Sequence, residues 1–252
     1  MEHRQIVSKL ETDQAGVNDE KELRIRAVLF DAAGALIDPS EPVGETYARV
    51  AGHFGVELPA QRLSDAFGRV VRRAGPRLAQ AAASDDIEAV ERTWWREIVR
   101  GTFLTADSGV RFDDFEGFFD ALFARFAEPE AWVLRSGASE ALAALAAESY
   151  LLGIVSNFDH RLPNILEGHA IAGFFDTVAI PATCRLEKPD PGIFEIALRQ
   201  LGVAAERAVY VGHHPRLDLA AASRVGLAVV DIAELRDLRD LPARLRALAN
   251  LG

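Results

Sequence analysis

Five short, continuous apolar runs punctuate the chain: IRAVLFD (25–31), YLLGIVS (150–156), DTVAI (176–180), RAVYVG (207–212) and GLAVVD (226–231). None alternates apolar with polar positions as a half-solvated strand does, so each predicts a strand buried on both faces, the signature of a parallel sheet. Between the later runs the apolar spacing becomes helical. Ile193, Phe194, Ala197, Leu198 and Leu201 share one face, and ASEALAALAAES (138–149) is rich in strong helix formers. Strands alternating with helices predict an α/β core with helices on both sides of the sheet.

The interval between the first and second runs is much longer than the others and carries at least four helical patterns and no convincing strand. One stripe is Leu63, Ala66, Phe67, Val70 and Val71; a second is Ile87, Val90, Trp94 and Ile98; a third is Phe112, Phe115, Phe119, Leu122 and Phe126. Stripes of this kind pack against one another far more often than they line a cofactor site, so they predict an all-helical cap over 41–133. The adjacent Trp94 and Trp95 are expected in that cap's core. The α/β core is then formed by 24–40 and 134–252, and the polar residues 1–23, without strong periodicity, are expected to be a mobile tail.

Composition narrows the function classes. The 252 residues are 49% hydrophobic and 8% aromatic, enough to bury a sizeable core. A net charge of -10, from 38 acidic and 28 basic residues, lacks the basic footprint that nucleic-acid binding needs. The N-terminal segment has no apolar h-region and no run approaches membrane-spanning length, so no secretory signal and no membrane partner are expected. Cys184 is the single cysteine, which excludes an intrachain disulfide and fits a reducing compartment. The expectation is a cytoplasmic protein acting on a small molecule.

In an open α/β sheet, ligands bind beyond the carboxyl ends of the strands. The first run ends in Asp31. The second ends in Ser156 and Asn157, with Asp159 beyond. Lys188 lies in RLEKPDPGIF (185–194), just before a helix that the adjacent prolines help to start, and the fourth run is followed by His213, His214 and Asp218. A strand-end aspartate often only caps a helix, and a lone lysine is usually solvated. Together, in this order, a carboxylate nucleophile, a hydroxyl, a lysine and further carboxylates form a toolkit for phosphoryl transfer through an aspartyl-phosphate.

With these residues in place, the chain after about residue 24 resembles the haloacid dehalogenase-like (HAD) superfamily, subfamily IA, with its helical cap between the first two motifs. Within it the chain looks like the group named for the rhythmically expressed protein 2. The segments that carry the resemblance are DAAGALIDPSEPVGETYA (31–48), ERTWWREIVRGTF (91–103), IVSNFDHRL (154–162), KPDPGIF (188–194) and VGHHPRLDLAAASRVG (211–226). It implies a Rossmannoid parallel-sheet core. It also implies Asp31 as nucleophile, Ser156 and Lys188 as phosphate-side catalytic partners, and Asp218 as the acid of the fourth motif. Mg2+ would be held by Asp31, the backbone carbonyl of Ala33 and Asp218, and Asn157 and Gly34 are expected as substrate contacts.

Two departures from that pattern change the expectation. Phosphatases of the superfamily carry an aspartate two residues after the nucleophile as general acid and base, and Ala33 stands there. They carry a metal-binding aspartate straight after the glycine of the fourth motif, and His213 stands there. Losing a general acid removes about 10²–10⁴ in rate, and Mg2+ prefers oxygen donors to imidazole. The expected function is therefore a HAD-like hydrolase of a small phosphorylated metabolite with weakened activity. The alternatives are a catalytically silent binding or regulatory protein of the same fold and, ranked below these, a metal-free 2-haloacid dehalogenase, whose leaving halide needs no proton.

Overall fold

The computed structural model describes residues 25–79, 81–82 and 85–249; the expected tail, 1–23, lies outside the described residues. All five apolar runs are strands. The first is β1 (Ala27–Phe30), followed by β2 (Ile37–Pro39), and then by four helices: α1 (Val43–Gly52), α2 (Ala60–Arg73), α3 (Ile87–Ala106) and α4 (Phe115–Arg125). Next come β3 (Trp132–Leu134), α5 (Ala138–Ala147), β4 (Leu151–Val155), α6 (Leu162–Gly168), β5 (Thr177–Ala179), α7 (Pro181–Cys184) and α8 (Pro191–Leu201). The chain closes with β6 (Ala208–Gly212), a π-helical turn over Pro215–Leu219, α9 (Ala220–Val225), β7 (Ala228–Asp231) and α10 (Leu241–Ala249).

Strands β1, β4, β5, β6 and β7 form one parallel sheet in the order β5-β4-β1-β6-β7. Both faces are dry, as continuous apolar runs require. Val28 and Phe30 of β1 pack on one side with Leu142 and Leu145 of α5, Leu162 and Ile165 of α6, and Leu241 and Leu245 of α10. Ala27 and Leu29 point the other way, against Phe194 and Ala197 of α8 and Ala221 and Ala222 of α9. The turn into α8 uses the signals visible in the sequence: Pro191 is its first residue and the Asp190 carboxylate accepts the Gly192 N–H at 2.8 Å.

Helices α1–α4 share a separate apolar core in which Tyr47, Leu63, Ala66, Phe103, Phe118 and Leu122 are buried. The expectation of no strand in this interval is corrected by β3, which pairs antiparallel with β2 in the register Ile37↔Leu134 and Pro39↔Trp132. Three residues are too few for a strand's alternation to stand out from helical periodicity on either side. The ribbon sits where the chain leaves the α/β core and where it returns. Among the described residues, no helix is long and apolar enough to cross a membrane.

Candidate active site

Central position in the sheet decides which residues meet. β1 lies between β4 and β6, with Phe30 level with Ile154 on one side and Val211 on the other. The residues just past these ends, Asp31, Ser156 and His213, are therefore brought to one place. Asp31 is buried, and its Oδ1 accepts from the Ala32 N–H at 2.8 Å and the Ser156 hydroxyl at 2.8 Å, with Lys188 Nζ at 2.9 Å.

Lys188 arrives from the loop before α8. Its Nζ also donates to Asp218 Oδ1 at 2.6 Å and to the Tyr210 hydroxyl at 2.9 Å, and Tyr210 passes its own proton to the Val155 carbonyl at 3.0 Å. Tyr210 is the largest fully buried side chain of the protein, and burial together with the charges of Asp31 and Asp218 pushes its phenol well above the ordinary value. It therefore acts as a neutral bridge. The signal for it was a single hydroxyl-bearing ring inside the otherwise aliphatic run RAVYVG.

Asn157 lies in the cleft, as expected of a residue near the substrate, and is also tied to the loop that carries Lys188. Its Nδ2 donates to the Lys188 carbonyl at 2.8 Å and its Oδ1 accepts the Lys188 N–H at 2.6 Å. These two bonds fix the lysine backbone, so Asn157 positions Lys188. Gly34 lies beside His213. It is not part of the cavity wall. Its φ of +84° is a left-handed conformation, and a Cβ added there would meet the His213 ring at 2.8 Å. The glycine makes room for the histidine.

His213 bridges the two acids. Its Nδ1 is 3.2 Å from Asp31 Oδ2 and 3.4 Å from Asp218 Oδ2, while Asp218 Oδ2 accepts the backbone N–H groups of His213 at 3.0 Å and His214 at 2.8 Å. His214 caps the following turn, its Nδ1 accepting from Leu217 N–H at 3.1 Å. The hydrogen bond to Asp31 raises the His213 imidazole above its usual value, against a smaller opposing effect of burial. For Asp31, burial pushes the carboxyl up, but the Lys188 charge and the hydrogen bonds from His213, Lys188 and Ser156 outweigh it, holding it far below the ordinary carboxylate range. At neutral pH it is an ionised carboxylate.

This donor set does not fit Mg2+. Asp31, His213 and Asp218 bring potential ligand atoms within 4.8 Å of one another. One of the three is imidazole, and both Asp218 oxygens are engaged by Lys188 and by backbone N–H groups. Mg2+ demands oxygen ligands in near-octahedral order, whereas a nitrogen donor suits a softer transition metal.

The cleft opens into a cavity of about 490 Å³ between the sheet ends and the helices α1–α4. Asp31, Ser156, Lys188, His213 and Asp218 form its floor, and Ala33, whose side chain offers no proton, also lines it. Trp94 and Trp95, expected in the core of the cap, both line this cavity, and Trp95 also packs against the cap core as expected. Each indole N–H is tied down, Trp94 to the Gly75 carbonyl at 3.2 Å and Trp95 to Asp159 Oδ2 at 2.7 Å. Asp159 is thereby outside the floor cluster. It holds Arg161 through both oxygens at 2.8 and 2.6 Å, and Arg161 reaches the Phe123 carbonyl of α4 at 3.0 Å. Sequence reasoning missed this link and the buried Glu91–His160 pair, 2.7 Å apart, because both join residues remote along the chain.

A parallel α/β sheet whose strand ends gather a buried carboxylate, a hydroxyl and a lysine beneath an inserted helical layer defines the class of HAD-like hydrolases. The chain belongs to that family: the family model described as haloacid dehalogenase-like hydrolase matches residues 25–226. It is 30% identical over 238 residues to haloacid dehalogenase-like hydrolase domain-containing protein 3 of Danio rerio, covering 88% of this chain and 97% of that one. It is 24% identical over 210 residues to the rhythmically expressed gene 2 protein of Drosophila melanogaster, covering 81% of each. Among solved structures it resembles a HAD phosphatase from Thermococcus onnurineus at a TM-score of 0.60 and 21% identity, covering 88% of this chain and 98% of that one.

Proposed function

We propose that the protein is a metal-independent hydrolase that forms a covalent intermediate on Asp31, acting weakly on small phosphate esters with good leaving groups. The observation that carries this reading is the ionised, buried Asp31 with Lys188 at 2.9 Å and Ser156 at 2.8 Å on one oxygen. Among the described residues Oδ2 meets His213 at 3.2 Å, and it is the less engaged oxygen, with a lone pair to spare. Its attack on phosphorus forms the O–P bond as the ester O–P bond breaks, and the leaving oxygen departs with the electron pair. Lys188, Ser156 and His213 stabilise the charge on the transferred group. Ala33 offers no proton, so esters of weakly acidic alcohols lose the roughly 10²–10⁴ that a general acid supplies. Water attack on the aspartyl-phosphate lacks a base at the same position, and that second step is slow. The 490 Å³ cavity is of a size for a small-molecule substrate.

A second reading, a catalytically silent ligand-binding protein, is favoured by the contact of His213 with that same Oδ2 at 3.2 Å, which engages the attacking atom. Displacement of halide from a 2-haloacid also needs no proton at Ala33 and is the third. A turnover screen with para-nitrophenyl phosphate, a phosphate-ester panel and 2-chloropropionate, in EDTA and in Mg2+, separates them. The expected result is para-nitrophenyl phosphate turnover that EDTA leaves unchanged and Asp31→Asn abolishes. A rise of about tenfold or more with Mg2+, as a metal Lewis acid gives, contradicts metal independence. Turnover surviving Asp31→Asn contradicts the covalent mechanism, and a wholly silent panel favours the binding protein.

A further inference from the structure

The cavity contains a second cationic group that the chemistry at Asp31 does not use. Arg77 lines it, and its side chain is only 6% exposed. Among the described residues its Nε and NH1 have no hydrogen-bond partner. Its nearest carboxylate oxygen, Glu91 Oε1, lies 3.6 Å from NH1, too far for a hydrogen bond, and that oxygen is itself unpartnered. Buried guanidinium donors are costly to leave unmade, so their retention in a ligand-sized cavity calls for an acceptor that arrives from outside.

We propose that Arg77 is a specificity-determining residue that anchors a carboxylate of the substrate, so that the cavity takes a phosphorylated carboxylic acid with an apolar body. This rests on reading the cavity as the substrate site. Three observations carry it besides the unpartnered donors. The guanidinium lies over Trp94 at 4.9 Å and Trp95 at 5.6 Å, which fixes the plane of a fork that pairs with a planar carboxylate. The segment bearing Arg77 is pinned on both sides, by Trp94 Nε1 on the Gly75 carbonyl and by the Leu78 N–H on Glu187 Oε1 at 3.0 Å. The rest of the cavity wall is largely apolar, with Tyr47, Phe67, Phe119 and Phe123 among its residues.

Glu91 does not remove the need for an anion. Burial raises its carboxyl, and its other oxygen is occupied by His160. Nor does the cluster of Glu91, Asp159 and His160 hold a cation, because Arg161 covers both Asp159 oxygens and Arg77 stands against Glu91.

The test uses probes without a scissile bond, so its failure is distinct from failure of the hydrolase reading. Isothermal titration compares 4-phenylbutyrate with 4-phenylbutyramide on the wild-type protein, Arg77→Met and Arg77→Lys. The acid is expected to bind the wild type about tenfold or more tightly than the amide, as a desolvated charge-assisted pair requires. Arg77→Met, which keeps the stem on the tryptophans, is expected to abolish that preference, and Arg77→Lys to retain part of it. Equal affinities, no binding of the acid, or a preference that survives in Arg77→Met overturns the proposal. If Arg77→Met does not fold, the wild-type comparison and Arg77→Lys decide it: a full preference in Arg77→Lys contradicts the planar fork.

Discussion

At the scale of single residues, the departure at His213 is accommodated by the space beside Gly34. His213 brings an imidazole ring to the place between Asp31 and Asp218, and Gly34, at a φ of +84°, leaves the space that ring occupies. The cleft is thus closed around imidazole and not merely stripped of a carboxylate. Restoring the superfamily pattern needs both changes: Ala33→Asp supplies a proton donor and His213→Asp an oxygen ligand. Because the two act in one transition state, each single mutant is expected to stay near wild type. The double mutant is expected to gain Mg2+-dependent hydrolysis of para-nitrophenyl phosphate, with tighter titratable Mg2+ binding than the wild type. Each added charge costs roughly 1 kcal/mol or more of stability without metal, so thermal unfolding is measured alongside. A folded double mutant that binds Mg2+ but turns over no faster than wild type means the missing carboxylates are not what limits the site.

At the scale of elements, a buried polar knot centred on Asp159 is among the links that join the helical layer to the sheet. Trp95 of α3 and Arg161 both bond Asp159, and Arg161 continues to the Phe123 carbonyl of α4 with its guanidinium 3.8 Å from that ring's centroid. Burial pushes the Asp159 carboxyl up, but the hydrogen bonds and charge of Arg161 outweigh it and hold the carboxyl below its ordinary value. The sign follows. A depressed folded value contributes stability that is present above the unfolded value of about 3.9 and is lost as pH falls through the folded one. Removing one partner of a buried pair typically costs about 3–5 kcal/mol. Asp159→Asn is therefore expected to lower the urea midpoint clearly at pH 7 and to flatten the acid limb of the stability profile. An unchanged midpoint, or the same loss at low pH as in the wild type, would show that the knot does not tie the layers.

At the scale of the whole molecule, the sheet was legible because its strands are buried on both faces and so written as uninterrupted apolar runs. The meeting of Asp31, Ser156, Lys188 and Asp218 was legible because parallel topology places strand ends on one edge. What escaped had no local period or spacing to betray it. The β2–β3 ribbon is too short, and Asn157 declares its attachment to the Lys188 backbone only in three dimensions. Trp94 shares its stripe with the buried Ile87 and Ile98, and only the cavity separates the two fates.

The most direct test of a covalent, metal-free Asp31 site is an intact-mass measurement of the protein mixed with para-nitrophenyl phosphate in EDTA, quenched in acid and mapped by peptides. The account predicts a phosphoryl adduct on the peptide containing Asp31, formed faster than it hydrolyses because Ala33 provides no base for water, and absent from Asp31→Asn. No adduct during turnover, an adduct on another residue, or one that forms only when Mg2+ is added would contradict it.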